Sequence, residues 1–190
     1  MKGTVAAAAA TVAIPGTAVA SDFKELNWMV SVPATTPVPF LTRVISGVPV
    51  FVEYGKPVVF GPVIVQAIGG PKVTAMARAA NYVSFAGVIT TTVAVTDARG
   101  LSGRFPITVT FPRTSIPPTN IDYVLTGTAT LAEGTPLPAP RNPGPMTIAA
   151  ETPAKGAITI YKATGATTDY VSSMTLVHGQ DPVLATVEVR

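Results

Sequence analysis

Phe85-Ala-Gly-Val-Ile-Thr-Thr-Thr-Val-Ala-Val-Thr-Asp-Ala-Arg-Gly-Leu-Ser-Gly-Arg-Phe-Pro-Ile-Thr-Val-Thr-Phe111 is the stretch whose reading decides the fold class. In Thr91–Thr96, Val93 and Val95 share one side of an extended chain, while Thr92, Ala94 and Thr96 take the other. In Ile107–Phe111 the apolar set is Ile107, Val109 and Phe111, with Thr108 and Thr110 between them. A period of two with threonine on the reverse side describes a strand with one face in a core and one in water, the pattern of antiparallel sheet. Between the two runs lies Asp97-Ala-Arg-Gly100. An aspartate there bonds the backbone two residues on, and a glycine accepts a positive φ. The segment therefore predicts a hairpin, with the alternation on either side fixing its register.

The same grammar extends in both directions. Short β-rich runs are cut by Pro and Gly at the spacing expected of sandwiches and barrels. They are Trp28–Val32, Phe40–Ser46, Val48–Glu53, Val58–Ala67, Val83–Ile89, Thr91–Thr96, Phe105–Phe111, Ile121–Leu131, Met146–Ala149, Ala157–Lys162, Tyr170–Val177 and Val183–Val189. Helix signal is confined to one or two turns over Lys72–Asn81. Two proline-rich stretches punctuate the chain. Pro112–Thr119 follows a strong strand and reads as a stiff spacer, since proline holds an extended conformation. Pro136–Pro145 reads either as a long exposed loop or as a rigid segment covering a sheet edge.

The hairpin region resembles the closing hairpin of bacterial and phage immunoglobulin-like domains, carried by Gly87, Val88, Ile89, Val95, Thr96, Asp97, Gly100, Ile107, Thr108, Val109 and Thr110. The likeness covers residues 85–111, and the Gly-Thr-Pro step that usually precedes the final strand pair is absent. The resemblance implies an all-β fold built of antiparallel β-sandwiches, immunoglobulin-like or jelly-roll-like. The organisation expected is an N-terminal arm (1–22), a sandwich (23–112), a proline-rich linker (113–119) and a second small β domain (120–190).

Composition narrows the function. Of 190 residues, 47% are hydrophobic but only 12% charged, about half the usual ~25%. Such a neutral, Thr- and Pro-rich surface is poorly guarded against association, which points to a molecule that lives in contact with neighbours. The net charge of +3 comes from cations that do not cluster, apart from Arg99 and Arg104 beside one turn. Nucleic-acid binding needs a concentrated basic face to displace counterions, so direct contact with nucleic acid is not expected. There is no cysteine, which excludes disulfides, thiolate nucleophiles and thiolate metal sites.

At the N-terminus, Lys2, the apolar run Val5–Ile14 and Ala18-Val-Ala20 follow the grammar of a secretory signal. The run is alanine without leucine, and it is too short to span a bilayer, which takes about 20 apolar residues. The reading preferred is an arm packed on this subunit or its neighbour, with an uncleaved signal as the alternative.

A catalytic set does not emerge. His178 is the sole histidine and so the only base available to a triad, yet no G-x-S-x-G nucleophile pattern exists for it to serve. The ten acidic residues are scattered and form no calcium ladder. Gly69-Gly-Pro71 is not followed by G-K-[ST] and cradles no phosphate. Trp28, the single tryptophan, is expected as a core or interface anchor. No catalytic, cofactor or metal residues are nominated, and the expectation is not an enzyme. The expected function is a virion structural protein, such as a phage capsid decoration, head-fibre or tail-associated subunit. Its partners would be its own copies, other virion proteins and a host surface. The alternative is a secreted bacterial surface, adhesin or pilus-like protein.

Overall fold

The computed structural model describes residues 23–31, 36–56, 58, 61–131 and 139–190. The arm expected over 1–22 lies outside them. Among the described residues the elements are β1 (Phe23–Ser31), β2 (Val38–Ile45), β3 (Phe51–Val52), β4 (Val63–Gly69), α1 (Pro71–Ala79), β5 (Tyr82–Thr96), β6 (Ser102–Ser115), β7 (Tyr123–Leu131), β8 (Gly144–Ala150), β9 (Ala154–Lys162), β10 (Thr167–Leu176) and β11 (Val183–Val189).

The described residues are all-β apart from α1, but the expected sandwich, immunoglobulin-like or jelly-roll-like, is not what they form. Eight antiparallel strands close into a barrel in the order β5-β6-β7-β4-β2-β1-β10-β9. The closing seam is β5 against β9, running from Tyr82↔Lys162 to Thr90↔Lys155. A sandwich leaves sheet edges exposed; here that seam pairs the two strands that would otherwise be the edges of the eight-stranded wall. The expected division at 113–119 is not a division of the sheet. Strands from either side of it are neighbours, with β1 on β10, β4 on β7 and β5 on β9. Residues 113–115 continue β6 instead of opening a linker.

The expected hairpin is present as the β5–β6 turn. Asp97 Oδ1 accepts from the backbone N–H groups of Arg99 and Leu101, both at 2.9 Å. Gly100 has φ +79°, and its N–H donates to the Asp97 carbonyl. Asn142 donates to the other Asp97 oxygen. That bond, with the burial of Pro140 and Asn142, shows part of the Pro136–Pro145 stretch packed down instead of exposed; residues 136–138 of it lie outside the described residues.

Strand β5 does two jobs. Its first part belongs to the barrel wall, whereas Val93–Thr96 pair with β8. From there β8, β11 and β3 extend the sheet beyond the barrel, β3 joining β11 in parallel. Val93, Phe105, Met146, Ile148, Val187 and Val189 form the core of this extension.

Register fixes the barrel's geometry. The row that leaves β1 at Phe23 passes Ile45, Ile64, Thr128, Thr110, Val88 and Ala157, and reaches Val171 on β10. Since Ser173 is the partner of Ser31, one circuit climbs about ten residues along β1, a stagger that goes with strands tilted by roughly 35–45°. Tilt of that order opens an eight-stranded barrel enough to hold side chains and one small ligand.

Candidate functional site: the barrel interior

Inward positions follow the period of two. They include Leu26, Trp28 and Val30 on β1, Phe40, Thr42 and Val44 on β2, and Val65 and Ala67 on β4. Leu125 and Ala129 on β7, Val109 and Phe111 on β6, Ile89 on β5, Ile158 and Ile160 on β9, and Met174 on β10 complete the wall. They enclose a cavity of about 710 Å³. Small residues place it: a Cβ on Gly127 would lie 2.8 Å from the Phe111 ring and 2.7 Å from the Thr110 carbonyl. Only glycine lets that ring lie against β7.

The two ends are built differently. Helix α1 carries the chain from β4 to β5 across one end, passing over β6 and β7. Pro71 suits the first turn, where its missing N–H costs nothing. Asn81, at φ +59°, turns the chain back into β5. Val73, Met76, Ala77 and Ala80 face the cavity, at helical spacing. Buried Thr74 donates its hydroxyl to the Ile121 carbonyl at 2.7 Å, which ties α1 to the segment before β7. Met76 lines the cavity and is yet 54% exposed, so the cavity reaches the surface beside the helix.

The opposite end is closed by the extension. Leu184 lies where β11 slips register against β8, between Val183 and Ala185. A bulge re-aims a side chain, and Leu184 packs against all three apolar clusters of the molecule. Beyond it a second pocket of about 230 Å³ shares Ser46, Val48, Leu184 and Ala185 with the main cavity.

Polar atoms in the wall are few and mostly engaged. Trp28 Nε1 donates to Thr42 Oγ1 at 2.9 Å, and Thr42 donates on to the Leu26 carbonyl. Trp28 is thus a core anchor with its one donor satisfied. Thr91 donates to the Glu151 carbonyl at 3.1 Å. Tyr123 donates to the Thr114 carbonyl at 2.7 Å, and burial pushes its phenol up to about 12. Tyr82 and Tyr170 both line the cavity at the helix end, and the neighbouring Tyr170 hydroxyl, with burial, raises the Tyr82 pKa above its ordinary value. Among the described residues lining the cavity, none carries a charge.

Residues weighed for chemistry in the sequence lie elsewhere. His178 is exposed in the turn after β10. Asp181, three residues on, pairs with Lys24 at 3.0 Å and accepts from the Val183 N–H, which holds its carboxyl below the usual range. Arg104 pairs with Glu151 at 2.9 Å. No group of three or more metal-ligating side chains occurs among the described residues, and none of their helices is long and apolar enough to cross a membrane. The cavity itself went unread in the sequence: inward alternation looks the same whether a face meets a second sheet or the far wall of a barrel.

No family model, curated protein or solved structure matches this chain.

Proposed function

We propose that this protein is a non-catalytic binding protein whose barrel holds a small apolar molecule. The observation that carries the reading is an uncharged, apolar cavity of about 710 Å³ that opens beside α1. Ligand pockets of roughly 300–1,000 Å³ with apolar walls and a few polar groups are the usual form of a small-molecule site. Energetics agree. At about 24 cal/mol per Å³, a dry void of this size would cost about as much as a whole domain's stability of 5–15 kcal/mol. Water is a poor filler where so few polar partners face inward. An apolar guest removes both costs. Acid–base chemistry would need titratable groups at the guest, whereas the lining offers only tyrosine phenols.

Titration with Nile red, a neutral dye that brightens in apolar surroundings, tests the reading. Saturable one-to-one uptake is expected. Ala129→Phe, which places a ring inside the cavity, is expected to abolish uptake while keeping the melting transition. Undiminished uptake by that variant sinks the proposal.

A second reading has its own observation. The outer wall carries an apolar row at Val88, Ala157 and Val171, with Val171 69% exposed, and a second at Ile64, Ile45 and Phe23, with Phe23 57% exposed. Exposed apolar rows on a weakly charged surface favour association. This supports a structural subunit that assembles with its own copies, in a virion or, as the alternative, at a cell surface. Val171→Asp separates the two readings: it should lower the native assembly mass under the second and leave Nile red uptake unchanged under the first.

A further inference from the structure

We infer that the guest is a neutral, elongated molecule with a hydroxyl at one end, of the long-chain alcohol type, with its hydroxyl on Tyr82 and Tyr170 and its chain directed toward Leu184. The inference rests on the proposed binding role and deepens it.

Charge excludes the commoner lipid heads. A carboxylate or phosphate inside this cavity would meet no cation among the described lining residues, since Lys162, the ladder partner of Tyr82, stands outside the lining, and an unpaired ion taken from water costs several kcal/mol. An ammonium head fails for the same reason, since no carboxylate lines the wall. A hydroxyl carries no such penalty, but it does need a partner. Thr42, Thr91 and Tyr123 already donate to backbone carbonyls. The Tyr82–Tyr170 pair differs. Both phenols line the cavity, and of the two donors they hold, a bond between them would use only one. One donor and acceptor lone pairs remain, the complement of a single alcohol group.

Position supplies the direction. Tyr82 begins β5 and Tyr170 lies near the start of β10, both at the end that α1 spans and where Met76 meets solvent. From there the described wall is aliphatic or aromatic apart from Thr42, Thr91 and Thr130, whose hydroxyls donate to backbone carbonyls, and Ser46 near Leu184; Leu184 closes the far end and separates the cavity from the smaller pocket. Leu184 therefore sets the chain length accepted. Truncating it would join the two spaces.

Displacement of Nile red by hexadecanol and by hexadecanoate at pH 8 tests the inference. Hexadecanol is expected to displace the dye roughly 100-fold more effectively than hexadecanoate, from the cost of stranding a charge. That gap should narrow as pH falls and the acid is neutralised. Tyr82→Phe/Tyr170→Phe should weaken hexadecanol roughly 2- to 10-fold relative to the affinity of the same variant for the dye, the share of one hydrogen bond. Leu184→Ala, or the milder Leu184→Val if alanine unfolds the chain, should shift the preference toward docosanol. Equal displacement by alcohol and carboxylate overturns the ligand class while the binding role stands. Weakening by Ser46→Ala in place of the tyrosine pair overturns the orientation. If neither compound displaces the dye and the dye itself does not bind, the proposed function fails first.

Discussion

The extension end and the helix end close the same barrel by different means. At the extension end, Val187 and Val189 are 0% and 1% exposed and pack with Phe105, Met146 and Ile148 into a continuous core. Fully burying a side chain of this size contributes about 1.5–3 kcal/mol, so that end opens only at the expense of folding. At the helix end the cover is nine residues of helix, tied to the segment before β7 by the hydrogen bonds of Thr74 to the Ile121 carbonyl and of Arg78 to Asn120, and leaving Met76 exposed. Few buried contacts make a region open locally at low cost. The difference teaches that one end is structure and the other is access.

The sharpest way to break this division is Val187→Ala. Removing two methyl groups from the extension core should cost about 2 kcal/mol in urea unfolding, with Nile red affinity held within about twofold. A collapse of affinity with the fold intact would mean that the extension shapes the site directly.

Alkaline pH attacks the other end. Tyr123 is protonated in the fold up to about 12 and in the unfolded chain only to about 10. A raised pKa of this kind contributes stability fully present below pH 10 and lost as pH climbs toward 12, because only the unfolded state then sheds the proton. Melting temperature should fall by several degrees over that window, with faster dye release, and Tyr123→Phe should flatten the fall. An equal fall in the phenylalanine variant would remove Tyr123 from the account.

Acid is expected to act on the extension side, and least. Asp97 is held below the ordinary carboxylate range chiefly by Asn142, with help from the Leu101 and Arg99 N–H groups. A depressed pKa contributes stability above the unfolded value and loses it as pH drops through the folded one. The loss should be small, since the group is solvent-screened. Asp97→Asn should remove the acid dependence without altering dye release; faster release would link the hairpin to the helix end.

Most of the local structure was legible beforehand. Val183–Val189 is β11 as read, the Lys72–Asn81 signal is α1, and Asp97 with Gly100 makes the expected turn. Two predicted strands, Val83–Ile89 and Thr91–Thr96, are one, because Thr90 sits in the middle of a continuous ladder with β6. Val48–Glu53 shrinks to the two residues of β3.

Alternation, turn chemistry and the missing charge are local properties, and the sequence by itself determined them: strands with one apolar face, a tight hairpin, a neutral surface and a neutral interior. Closure was decided only by the tertiary structure. It depends on Tyr82–Thr90 meeting Lys155–Lys162 from the far part of the chain, and a period of two fits a flat sheet, a sandwich or a barrel alike. The cavity follows from closure, because the size of an interior is set by strand number and stagger across all eight strands. The bulge at Leu184 is similar: nothing in Pro182-Val-Leu-Ala-Thr186 marks it, and it exists because β8 pairs with β11 on both sides of that residue.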